Sequence, residues 1–413
     1  MLYFSMKMSV KIEIIADGNV VSPRGFQAGA VYAGIKHKSK DCLDLGILFS
    51  DTVCTAAAVF TNNKIQAAPV ILDREKLAQK PEAQALIVNA GCANACTGAQ
   101  GTTNAVVTAD LAAKHLGINP SFVQVASTGV IGVQLPMGKI AEGISRITLS
   151  PEGGHDFTRA IMTTDTRPKE IAVRVQTAES SFTIGGTAKG AGMIHPNMAT
   201  MLGFLTTDAA VEATFLKEAL TKAVDTSFNM ITVDGDTSTN DTVLLMANSR
   251  AGNRPIEKGG ELAGPFHKAL QQVCLHLAKC VAKDGEGATR LIEVQVDGAQ
   301  NRKDARLAAR TIAGSPLVKS AVHGCDPNWG RIIAAAGRSG AELVEEKADV
   351  FIGEMCLMKS GVPQAFDKKD ASAVMGRDEV LLRVDLNLGK GRATAWGCDL
   401  SEEYVVINSE YTT

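Results

Sequence analysis

Lys189-Gly-Ala-Gly-Met-Ile-His-Pro-Asn-Met-Ala-Thr-Met-Leu-Gly-Phe204 lies near the midpoint of the 413 residues and organises the reading of the whole chain. Gly190, Gly192, Gly203 and Pro196 punctuate its backbone, so it suits neither a regular helix nor a regular strand. Four large apolar residues fall within 198–204, which an exposed loop would not need. The pattern predicts a buried, kinked turn where backbone must approach something closely. Within it, Ala199-Thr200 sets a hydroxyl directly after a small residue whose carbonyl is unshielded. A threonine in such a loop usually bonds nearby backbone, so the pair alone is a weak signal.

Around this centre, composition bounds the answer. The length calls for two or three lobes rather than one core. With 45% hydrophobic and 21% charged residues the chain is globular, and with only 5% aromatics its core must be Ala, Val, Ile and Leu. A net charge of -2 with no basic block argues against nucleic acid as a partner. The nine cysteines are scattered, and Cys92 with Cys96 lacks the second pair a zinc site needs. That usage fits a reducing, cytoplasmic setting. Residues 1–10 carry too short an apolar run for a secretory signal, and no stretch has the length of a membrane span.

In chain order, residues 12–15, 30–35, 43–49 and 52–60 read as strands, and 70–76 leads into the apolar run 85–89. A helix opens at Thr102 and stops at Gly117. Residues 123–132 form a strand running into a Gly turn. Helices follow at 137–147 and 156–162, and 170–176 with 180–185 alternates as a hairpin that delivers the chain to Lys189. Beyond the centre, 206–208 is expected to cap a helix over 212–227. Residues 230–240 give a strand entering a loop rich in acids and hydroxyls. Its Asp234-Gly-Asp236 suggests no metal, a lone pair of this kind being mostly a turn. Residues 242–248 and 291–296 read as strands, and 265–282, 305–320 and 332–338 as helices. Strands are expected again near 350–352, 380–386 and 393–396. Elements clump rather than alternate, which predicts layered α+β architecture over a doubly wound sheet.

Acyl transfer by a hydroxyl needs a base for its proton and donors aimed at the developing oxyanion. One economical arrangement makes Thr200 the first residue of a new chain, its own α-amine serving as base. The hydroxyl itself can open that bond by attacking the Ala199 carbonyl to give an ester that water hydrolyses.

Lys189-Gly-x-Gly-Met-Ile-x-Pro-x-Met-Ala-Thr-Met-Leu202 resembles the self-cleavage signature of the ornithine acetyltransferase family, also called glutamate N-acetyltransferase or ArgJ. Ser127-Thr-Gly-Val-Ile-Gly132, Thr163-Thr-Asp-Thr166, Asp284-Gly-Glu-Gly-Ala-Thr289, Gly324-x-Asp-Pro-Asn-Trp-Gly-Arg331 and the terminal Asn408…Thr413 are similar to family motifs in the same order. Ala191 stands where many members carry Ser. The resemblance implies the family's self-cleaving α+β fold, shared with the related DmpA-like aminopeptidases. It implies cleavage between Ala199 and Thr200 into an α chain 1–199 and a β chain 200–413, associated as α2β2. It assigns Thr200 as nucleophile, Thr128 and Gly129 to the oxyanion hole, and Thr163, Lys189, Thr200, Glu286, Asn408 and Thr413 to the substrate. Between Thr163 and its neighbour Thr164, Thr163 is favoured. Residues 326–331 are expected to support the site rather than act in it.

The implied reaction moves acetyl from N2-acetylornithine to glutamate through an acetyl-threonine, with no metal or organic cofactor. Acetyl-CoA is a second donor for some members, which leaves mono- or bifunctional action open. Two other readings stand beside it: a self-cleaving aminopeptidase, whose nucleophile is typically Ser, and a binding protein on the same fold.

Overall fold

The computed structural model describes residues 10–36, 42–195 and 201–410. The first sheet contains β1 (Lys11–Ile14), β2 (Phe26–Val31), β3 (Leu45–Phe60), β4 (Glu82–Cys92), β5 (Val123–Val130), β6 (Lys169–Gln176), β7 (Ser181–Lys189) and β8 (Leu202–Thr207). After β9 (Ile231–Thr232), which belongs elsewhere, β10 (Thr242–Ala247) completes it. The order is β1-β6-β7-β8-β10-β3-β4-β5, with β2 also paired to β3. A second sheet takes β9, β11 (Leu291–Ala299), β12 (Asp349–Ile352), β13 (Met355–Lys359), β14 (Val362–Pro363), β15 (Glu379–Asp385) and β16 (Gly391–Cys398). Its order is β14-β13-β12-β15-β11-β16-β9.

Side-chain alternation along the strands assigns the layers. Leu205, Val243, Leu245, Ile184 and Val173 face the helices Ala213–Asp225 and Ala263–Lys283, in a core that continues into the second sheet. The alternate residues Leu202, Phe204, Leu244 and Met246 face the helix Gly154–Ile161, where Phe157 meets Phe204 edge-on at 6.0 Å between centroids. At the far end of the sheet, Ile47, Ala85 and Ile87 pack on the helices Gly98–Leu116 and Met137–Arg146. Mixed sheets with helical layers are the α+β class expected. Among the described residues no helix is long and apolar enough to cross a membrane.

Several expectations are corrected. Residues 206–208 do not cap a helix: Thr206 and Thr207 end β8, and the Thr207 hydroxyl donates to the Thr183 carbonyl at 2.7 Å. Glu212 caps the following helix instead, its two carboxylate oxygens accepting from Thr214 N and Phe215 N at 2.8 and 2.7 Å. Residues 70–76 lie in a helix, Ala68–Gln79, opened by Pro69. The two strands read at 43–60 are one, bent where its register with β4 shifts between Phe49 and Cys54. The helix expected over 305–320 is two, Arg302–Ala313 and Pro316–His323, because Gly314 and Pro316 interrupt it. The tail, given no element by pattern, is a helix at Glu402–Glu410.

Candidate active site

Strand β5 ends at a turn whose shape is dictated by glycine. Gly129 sits at φ +129°, and a Cβ there would lie 2.3 Å from the carbonyl carbon of Gly91 on β4. Gly91 is itself at φ +105°, so two bare backbones press together where the β4–β5 register breaks. Asn240 fastens this end from a third direction, donating to the Ala93 and Ser127 carbonyls at 2.6 and 2.8 Å. Ser127 in turn donates to Asn89 at 2.6 Å.

Strand β7 delivers Lys189 to the same place. Its Nζ donates to Thr128 Oγ1 at 3.1 Å, and both residues are buried. An ammonium has no acceptor, so when Lys189 is charged the Thr128 oxygen accepts and its own proton points elsewhere. Burial lowers the Lys189 pKa, opposed by the carboxylates of Asp165, Asp241 and Glu286.

Glu286 arrives from the loop after the helix Ala263–Lys283. Its backbone N–H donates to Ala191 at 2.9 Å, and its carboxylate lies flat over Gly192, where a Cβ would stand 2.4 Å from an oxygen. Beside it, Gly287 at φ +68° leaves room for the start of the C-terminal helix: a Cβ there would meet Tyr404 N at 2.6 Å. Ser401 donates to the Gly287 carbonyl at 2.6 Å. So seated, the helix Glu402–Glu410 brings Asn408 Nδ2 to 2.8 Å from Glu286 Oε2.

Beneath these loops is a buried ionic cluster. Lys169 Nζ lies 2.6 Å from both Asp165 and Asp284, the three side chains being 1%, 0% and 2% exposed. Asp165 also accepts from Thr163 N at 2.9 Å and from Gly190 N at 2.7 Å. Asp284 accepts from Thr166 N at 3.0 Å and from the Thr166 hydroxyl. Burial alone would raise the Asp165 carboxyl, but Lys169 and Lys189 hold it down to about 2. One lysine thus ties together the segments that carry Thr163, Lys189 and Glu286.

The result is a cavity of about 290 Å³. Six residues expected at the site, Thr128, Gly129, Thr163, Lys189, Glu286 and Asn408, line it together, and Thr164 lines it as well as Thr163. Ala199, Thr200 and Thr413 lie outside the described residues. The motif at 326–331 does not line the cavity. Sequence reading missed Ser238, Thr239 and Asn240 on the wall, although the run of hydroxyls and amide after β9 was their signal. Asp234, weighed for a metal, instead accepts from Met193 N and Ile194 N at 2.6 and 2.8 Å and holds that loop. Among the described residues no group of three or more His, Cys, Asp or Glu is placed to hold a metal.

A buried cation, a carboxylate and a hydroxyl–glycine turn gather around one small cavity on an α+β fold, the ingredients of an enzyme site for a small molecule. The sequence model of the ArgJ family matches residues 27–413. The arginine biosynthesis bifunctional protein ArgJ of Dehalococcoides mccartyi is 55% identical over 98% of this chain and 100% of its own. That of Symbiobacterium thermophilum is 53% identical over 96% and 99%. The solved structure of the Bacillus halodurans bifunctional protein argJ is 46% identical, covers 50% of this chain and 97% of its own, and has a TM-score of 0.49. The chain belongs to the ArgJ family.

Proposed function

We propose that the chain cleaves itself between Ala199 and Thr200 and then transfers acetyl from N2-acetylornithine to glutamate. In the first stage the Thr200 hydroxyl adds to the Ala199 carbonyl, the peptide C–N bond breaks to free the threonine amine, and water hydrolyses the resulting ester. In the second, the freed amine takes the Thr200 hydroxyl proton as the oxygen attacks the acetyl carbonyl. Thr128 and Gly129 stabilise the tetrahedral oxyanion. Ornithine leaves with the proton on its α-nitrogen, and glutamate's α-amine then attacks the acetyl ester and regenerates Thr200. Lys189 holds the α-carboxylate common to both amino acids. Glu286, steadied by Asn408, takes ornithine's side-chain ammonium, and Thr163 and Thr413 complete the contacts.

The observation that carries this reading is the convergence of Thr128, Lys189 and Glu286 on one small cavity, from three segments more than 50 residues apart in sequence. Family membership and the relatives' place in arginine biosynthesis support it. Glu286 and Lys189 supply the opposite charges that the side-chain ammonium and the α-carboxylate of acetylornithine require. The reaction needs no metal or organic cofactor, and acetyl-CoA is proposed as a second acetyl donor, in line with the word bifunctional in the relatives' name. The assembly is an α2β2 heterotetramer in the cytoplasm.

Intact-mass measurement tests the scheme. Two fragments are expected, divided after residue 199, with the C-terminal one gaining a single acetyl group on exposure to acetylornithine. A Thr200→Ala variant that still cleaves and still transfers acetyl would refute it.

A further inference from the structure

A second cavity, of about 470 Å³, opens behind the catalytic loops and is lined by His195, Gly235, Thr237, Arg310, Thr311 and Arg338, among others. Arg310 lies on the last turn of the helix Arg302–Ala313. The helix's other arginines at this side, Arg302 and Arg306, are paired with Asp225 at 3.3 and 2.8 Å. Arg310 and Arg338 have no ion pair among the described residues. Arg310 Nη2 points to His195 Nε2 at 3.0 Å. A guanidinium only donates, so Nε2 accepts, and the ring's proton sits on Nδ1, 2.9 Å from Thr232 Oγ1. Burial and the Arg310 charge push the His195 pKa down to about 4, so the ring is neutral near pH 7 and cancels none of the charge on the arginines. Arg310 Nε is buried and has no hydrogen-bond partner among the described residues. Asp225, the carboxylate that acts on Arg310, is already engaged by Arg302 and Arg306, and a buried guanidinium donor left unused is a costly arrangement in a protein interior.

We infer that this cavity is a binding site for a small oxyanion, a carboxylate or phosphate group engaged by the Arg310 guanidinium with Arg338 at the rim. Guanidinium geometry matches either group with paired N–H donors. The site stands back to back with the first cavity: Met193 and Ser238–Asn240 line the first, while His195, Gly235 and Thr237 line the second. The two loops are stitched by the Ile194–Thr237 bridge and by Asp234, so an anion here stiffens both walls of the active cavity. It requires nothing of the chemistry at Thr200.

The test is titration calorimetry of the full chain with sodium citrate and with sodium phosphate, each against sodium chloride at matched ionic strength. Hydrogen exchange is followed on the same samples. Saturable binding of at least one anion is expected, with slower exchange at 192–195 and 234–238. Citrate alone would mark a carboxylate ligand and phosphate alone a phosphoryl ligand. Arg310→Met should weaken binding by about tenfold or more. Arg338→Met, an exposed change that spares the fold, should weaken it by a smaller factor. Neither anion outdoing chloride, or binding untouched by Arg338→Met together with a folded Arg310→Met, overturns the inference.

Discussion

Lys169→Met is the most informative single perturbation. Methionine fills nearly the same volume but removes the one ammonium placed between Asp165 and Asp284, each 2.6 Å away and at most 2% exposed. Removing one partner of a buried ionic set strands the others, at a typical cost of about 3–5 kcal/mol. Asp165 keeps the Gly190 and Thr163 N–H donors and the nearby charge of Lys189, and Asp284 keeps Arg167 at 3.6 Å, which argues for the lower half of that range. For a chain of this size, with an unfolding entropy of about 0.9 kcal/mol/K, a loss of this kind lowers Tm by roughly 3–5 °C.

The loss should depend on pH with a definite sign. Asp165 has a folded pKa of about 2, below its ordinary 3.8, so its charge stabilises the fold above the ordinary value and ceases to as pH falls through about 2. Without Lys169 the burial contribution, which raises the pKa, is opposed by less. The variant's acid unfolding therefore begins at higher pH than the wild type's. Calorimetry between pH 3 and 8 measures both effects. In Lys169→Met/Asp165→Asn, where one of the two charges requiring Lys169 is also gone, part of the loss should return. A single variant within about 1 kcal/mol of wild type, or an unchanged acid limb, would refute the account of the cluster.

Three further outcomes follow from the cavity's geometry. Glu286→Gln keeps an oxygen for Asn408 but loses the charge, and should raise KM for the amino-acid substrate by about tenfold or more with a smaller change in kcat, read from steady-state kinetics. Gly192→Ala places a methyl 2.4 Å from a Glu286 oxygen; the carboxylate must swing off Asn408, so kcat/KM should fall while Tm moves little. Gly129→Ala combines φ +129° with a 2.3 Å approach to Gly91, and should reduce both Tm and kcat, whereas an exposed glycine with open space and no positive φ, such as Gly138, tolerates change better.

Local periodicity displayed many of the strands, β6 and β7 among them, and the class of fold, though not β8, which the glycine-punctuated stretch around it hid; the residues around the cavity came through motifs that resemble the ArgJ family's. What it concealed depends on distant partners. Lys169, just outside the strand read at 170–176, carried no mark of its own, and only folding sets it between Asp165 and Asp284. Thr206-Thr-Asp208 carries the same residue types as a helix cap, but its hydroxyls and carboxylate serve backbone across the sheet, Asp208 accepting from Thr183 N at 2.7 Å. Asn240 sat in a run of hydroxyls and amide that hinted at a site, but its fastening role is set by two carbonyls 113 and 147 residues away.

The topology also bears on what self-cleavage does to the molecule. The proposed cut at 199/200 does not divide one sheet from the other. In the first sheet, β8 and β10 follow the cut, yet they lie between β7 and β3, which both precede it. Antiparallel pairing joins β7 to β8 from Ile184–Thr207 through Lys189–Leu202, and β10 to β3 from Thr242–Phe60 through Ala247–Thr55. The two fragments therefore share a continuous hydrogen-bonded first sheet and its main apolar core, although the second sheet lies wholly after the cut. Separation would strip two strands from the centre of a sheet, which amounts to unfolding. The cleaved protein should run as one species on a native column and melt in one transition that takes both fragments with it. Recovery of either fragment alone, folded and without denaturant, would show that the interleaved sheet is not what holds them together.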